Sequence, residues 1–183
     1  LGMEPILTLK DSLGKDVFYF QEVVFDDELY GQAVKAAEKA VSAWPDRLDF
    51  RLMKANAYIA YEKESPDMAL AYLQELVKEN AVRKSPWDYN GVEADDEFFE
   101  EVMQEYCFSF YTIGSPVSQE AFHTLSRQLC ELYPDNMVFL NNIGSYHLLK
   151  GDYKTALKYY DKVLKKHPDD YTAMQNGLLA TRK

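Results

Sequence analysis

The sequence predicts an all-α fold built as a stack of helix pairs, and three observations carry that reading. Pro134 and Pro168 end two helices 34 residues apart, and a Gly151-Asp152 turn divides the segment between them. On either side of that turn, Leu140, Ile143, Gly144, Ala156, Tyr160 and Val163 recur at helical spacing. The composition, 47% apolar and 14% aromatic, supplies a continuous core. A single helix pair of this length cannot bury its apolar face, so it needs neighbours of the same kind.

The segment YPDNMVFLNNIGSYHLLKGDYKTALKYYDKVLKKHP resembles one complete tetratricopeptide repeat. The family pattern of a large residue, Leu-Gly, Tyr, Ala, an aromatic, Ala and Pro falls on Leu140, Ile143-Gly144, His147, Ala156, Tyr160, Val163 and Pro168. The resemblance implies a right-handed α-α superhelix over 1–183, with about four helix pairs and a C-terminal capping helix.

Carrying the period through the chain assigns the elements in order. The first unit, 14–47, places Val17, Phe20 and Val24 inward on its first helix and Ala33, Ala37 and Ala40 on its second, which ends at Pro45. It departs from the family at Phe20-Gln21, where Leu-Gly is expected. The second, 48–83, has Lys54-Ala55 at that pair, Tyr58 at the tyrosine, and Ala69, Leu73 and Leu76 on its second helix. Ser65-Pro66 is expected to cap that helix. The third, 102–136, substitutes Phe108-Ser109 and turns at Gly114-Ser115-Pro116 before Ala121, Leu125 and Leu129. The fourth is 137–170, and 171–182 forms the capping helix.

Between the second and third units, 84–101 is surplus to the period. Pro86, Asn90 and Gly91 mark it as a loop, leaving two readings, a functional segment or a decoration of the scaffold.

Charge and chemistry narrow the function classes. A net charge of −10 argues against nucleic acid and against an anionic membrane surface. No apolar run is long enough to span a bilayer. From Ser85 to Ser126 there are nine acids and no Lys or Arg, without the ligand alternation of a calcium loop. Lys154, Lys158, Lys162 and Lys166 recur every fourth residue, as on a solvated outer face. Cys107 and Cys130, offset by ~10 Å along antiparallel helices, are expected as reduced buried thiols.

No phosphate loop, His-Glu-x-x-His pair or nucleophile elbow occurs. His123, His147 and His167 sit on separate helices or helix ends, with His147 at a seam. The expectation is a non-catalytic protein with no cofactor and no metal.

The resemblance also implies where a ligand sits, since the family's first helices line a concave groove. Its positions fall on Phe18, Tyr19 and Glu22, then Leu52, Met53, Asn56 and Ile59. The third and fourth units supply Met103, Tyr106, Cys107 and Phe110, then Asn141, Asn142, Ser145 and Leu148. Aromatics, methionine and asparagine suit a protein or peptide segment. The Lys and Arg with which some members clamp a C-terminal carboxylate have no counterpart here. Charge reversal at Asn141 or Asn142 is expected to weaken a partner and leave stability alone.

The alternative is a structural or assembly role, as a scaffold fragment of a longer repeat protein able to self-associate; an exposed apolar face on the last helix, Tyr171, Met174, Leu178 and Leu179, would favour the fragment reading. Leu1-Gly2 implies a trimmed N-terminus, which leaves a cytoplasmic and an exported location both open.

Overall fold

The computed structural model describes residues 3–10, 16–22 and 27–182. Strands β1 (Met3–Lys10) and β2 (Asp16–Glu22) pair antiparallel, with a register shift between Pro5 and Leu7. Helices α1 (Asp27–Ala43), α2 (Leu48–Glu62) and α3 (Asp67–Val82) follow. A two-stranded hairpin comes next, β3 (Trp87–Tyr89) and β4 (Val92–Ala94). Helices α4 (Asp96–Ile113), α5 (Pro116–Leu132), α6 (Met137–Leu149), α7 (Tyr153–Lys166) and α8 (Tyr171–Thr181) complete the chain.

Helix packing is that of a repeat solenoid. Within each hairpin α2 meets α3, α4 meets α5 and α6 meets α7; across hairpins α3 meets α5, α4 meets α6 and α6 meets α8. Each pair therefore covers the apolar face of the next, which is how a stack without a central core is held together. Ala69, Ala121 and Ala156 are fully or almost fully buried at equivalent points of α3, α5 and α7. Small residues there let the two helices of a hairpin cross closely.

Helix starts are capped by side chains in most of the stack. Asp95, Ser115, Asn136, Asp152 and Asp170 each accept a backbone N–H from the first turn of α4 to α8 in order. Ser65 does not cap α3 as expected. Glu62, at the end of α2, reaches over instead and accepts from the amides of Met68 (2.6 Å) and Ala69 (2.8 Å). A carboxylate satisfies two orphan donors where a serine hydroxyl satisfies one.

Two expectations fail at the N-terminal end. Residues expected as the first helix of the first unit include Val17 and Phe20, which lie on strand β2. That unit contributes α1 alone, and Val24 falls outside the described residues. On α1 the buried face is Val34, Ala37 and Val41, with Ala33 exposed and Ala40 half-buried. The larger Val side chains, one position on from the alanines, fill the seam with α2 and remove more apolar surface from water.

The surplus segment is an ordered plug. Asn90 and Gly91 take φ of 53° and 84°, the pair of left-handed residues that a tight hairpin turn requires. The turn folds Trp87 back into the core, where it is 2% exposed. Its indole Nε1–H donates to Asn80 Oδ1 at 2.8 Å, and the Arg83 guanidinium lies 3.8 Å from its ring centroid. Asn80 in turn donates to Asp96 Oδ1, which also accepts from the Tyr133 hydroxyl. The hairpin thus ties α3, α4 and the end of α5 together.

Candidate functional site: the groove between α2 and α4

An open groove of about 510 Å³ runs between α2 and α4, with Tyr89 of β3 at its edge. Leu52, Met53 and Asn56 form one wall and Val102, Glu105, Tyr106 and Ser109 the other. The walls are fixed to each other by Tyr106. Its hydroxyl lies 3.0 Å from both the Leu52 carbonyl and Asn56 Oδ1, donating one proton between them. Burial pushes the Tyr106 phenol well above its ordinary range, so it stays a donor. The ring of Tyr89 packs on Phe98 at 4.9 Å, which positions it at the groove edge.

The cations of α2 are drawn away from this groove. Arg51 pairs with Glu79 of α3 at 3.1 Å, and Lys54 Nζ sits 4.6 Å from the Tyr72 ring centroid, also on α3. Asp49, at one end of the groove, is gripped by Arg47 through two contacts of 2.8 and 2.5 Å. That fork holds the Asp49 carboxyl below its ordinary range. Glu105 has no cation within salt-bridge reach among the described residues.

The expected groove residues divide. Leu52, Met53, Asn56 and Tyr106 come together as the walls just described. Asn142 and Ser145 are half-buried on α6. Met103, Cys107 and Phe110 are fully buried instead, facing α5 and the core. Burial also pushes the Cys107 thiol up to about 12, and both cysteines are free. Phe18, Tyr19 and Glu22 lie on β2, so no first helix presents them.

Asn141 is the sharpest correction. It is 6% exposed and donates to both carboxylate oxygens of Asp170, at 3.1 and 3.3 Å. Asp170 also caps α8 through Ala173 N, so Asn141 fastens α6 to the last helix. A charge there would enter the packing and not the groove.

The tetratricopeptide repeat family model matches residues 138–170. These residues are a tetratricopeptide repeat. A search of curated proteins returns no match. Within the tetratricopeptide repeat, Gly144 to Ala156 spans 12 residues, whereas Ala55 to Ala69 and Cys107 to Ala121 each span 14. In the third unit Cys107 to Gly114 matches Gly144 to Gly151 at seven residues, so its two additional residues follow the left-handed turn glycine, at the start of α5. Counting back from Ala121 by the repeat's spacing therefore puts the third unit's first helix two positions out of phase. Tyr106-Cys107, not Phe108-Ser109, fills the buried pair, and Glu101, Glu105, Phe108 and Thr112 fall on the exposed face of α4, with Glu105 lining the groove.

The tetratricopeptide repeat points to protein partners. No described helix is long and apolar enough to cross a membrane, and no group of three or more His, Cys, Asp or Glu among the described residues is placed to hold a metal.

Proposed function

We propose that the chain is a non-catalytic interaction module that holds a segment of a partner protein in the groove between α2 and α4, extending across α6. One observation carries this reading. Met53, which lines the groove from α2, is 53% exposed, and Phe108, one turn on from the groove residue Glu105 on α4, is 63% exposed. Large apolar side chains held open beside a groove gain most from a partner that removes them from water.

The test is capture of partners from the source cell by wild type and by Met53→Asp/Phe108→Asp. Proteins retained by the wild type should be lost from the variant, while its thermal midpoint stays within ~2 °C, as befits exposed sites. Equal capture by both would rule the groove out.

A second reading, self-association at the end of the stack, is favoured by Tyr171, Leu178 and Leu179, each more than half exposed on α8. Sedimentation of wild type against Leu178→Glu decides it: a dimer reduced to monomer supports it, and a wild-type monomer at high concentration ends it.

A further inference from the structure

Resting on that groove reading, we infer that the partner segment is basic and apolar together: Lys or Arg side chains flanking at least one large hydrophobic residue. Three observations converge on this chemistry. Glu97, Glu101 and Glu105 recur every fourth residue on the exposed face of α4, and no cation lies within 4 Å of any of them among the described residues. Like charges one turn apart work against the helix that carries them. Glu105, the member of the row that lines the groove, is not compensated from the opposite wall, because Arg51 and Lys54 of α2 are engaged on the α3 side.

Phe108 follows Glu105 by one turn on the exposed face of α4, and Met53 lines the groove with Glu105 from the α2 side. A bound segment therefore meets carboxylates along one stretch and apolar surface at the next. An acidic segment would set like charge against Glu101 and Glu105. A purely apolar one would leave those carboxylates partly desolvated and unpaired, which is unfavourable. A segment with Lys or Arg beside Leu, Ile or an aromatic satisfies both halves. This is the opposite polarity to a carboxylate clamp.

The probe is a random peptide library displayed on phage, selected against the whole chain. Enriched peptides should combine Lys or Arg with large apolar residues. The best, made synthetically, should lose about tenfold or more in affinity for Glu101→Lys/Glu105→Lys, because each attraction is turned into a repulsion. Binding should also weaken as salt rises. As a control, Glu75→Lys/Glu131→Lys changes two carboxylates on α3 and α5 and should leave affinity within about twofold.

Enriched peptides that are acidic or uncharged, yet are lost on Met53→Asp/Phe108→Asp, would overturn the charge inference and keep the groove. Peptides insensitive to both pairs of groove substitutions, or no enrichment at all, would overturn the inference and the groove reading together. Circular dichroism of each variant, matching wild type, excludes unfolding as the cause.

Discussion

A Cβ placed on Gly144 would lie 2.6 Å from Cε1 of Tyr160, closer than carbon atoms can approach. This contact is the crossing point of α6 and α7, and the Tyr160 ring is almost wholly buried there. The ring cannot retreat, because Val163 and Ala173 close the same cluster.

Gly144→Ala should therefore destabilise the chain although alanine favours a helix by ~1 kcal/mol. Overpacking costs ~1–3 kcal/mol and outweighs that gain, giving a net loss of about 1 kcal/mol. The thermal midpoint should fall by ~2–4 °C. Adding Tyr160→Leu to Gly144→Ala should cost less than the sum of the two single changes, because the second removes the clash. Strict additivity would show that the contact does not limit the crossing.

Trp87 predicts that the 84–101 segment is part of the folded unit. Trp87→Ala empties a fully enclosed site and orphans Asn80 Oδ1, so a loss of ~3–5 kcal/mol is expected in urea unfolding. Trp87→Phe keeps most of the volume and should cost distinctly less. A midpoint unchanged by Trp87→Ala would return the segment to the status of a loose loop.

Asn141 and Asn142 are neighbours with opposite expectations. Asn141→Asp sets a carboxylate against Asp170 in a site 6% exposed, and ~2–4 kcal/mol should be lost. The damage should concentrate at α8, read as faster amide exchange from Tyr171 to Thr181. Asn142→Asp, only half-buried, should change stability by no more than ~0.5 kcal/mol. Matching exchange in the two variants would contradict this division.

The stack and the fourth unit could be read from the chain because Gly144, Ala156, Tyr160 and Pro168 each occupy a position that helix crossing restricts sterically. The N-terminal strands were lost by extending a period past the point where local preference opposes it. DVFYFQE is rich in β-branched and aromatic residues, and strand propensity prevails there. The β3–β4 hairpin did carry a signal, Asn90-Gly91 between two short runs, which is a strong turn indicator. Burial of Trp87 carried none, since its pocket is assembled from Asn80 of α3, Arg83 just after it and Arg51 of α2. The groove wall on α4 falls one residue ahead of each expected position, on Val102, Glu105, Tyr106 and Ser109, because the third hairpin is two residues longer than the fourth and the period carried back from the fourth unit loses phase there.

His123 predicts how stability responds to acid. Its ring stacks on Tyr146 at 3.9 Å, between α5 and α6, with His147 edge-on at 5.5 Å. Burial, then His147 and Arg127, hold its pKa below the ordinary value, with Lys150 acting in the same direction and Glu120 against them. In the unfolded chain His123 takes its proton near ~6.5, and in the fold it does so only at lower pH. The unfolded state therefore binds more protons in that window, so stability is fully present above ~6.5 and declines as pH falls below it. Lowering the pH from ~7 towards ~5 should reduce the urea midpoint, in a range where most carboxylates are still ionised. His123→Phe keeps a ring against Tyr146 and removes the titration, so its midpoint should vary less over the same range. An equal slope in wild type and His123→Phe would assign the acid sensitivity to other groups.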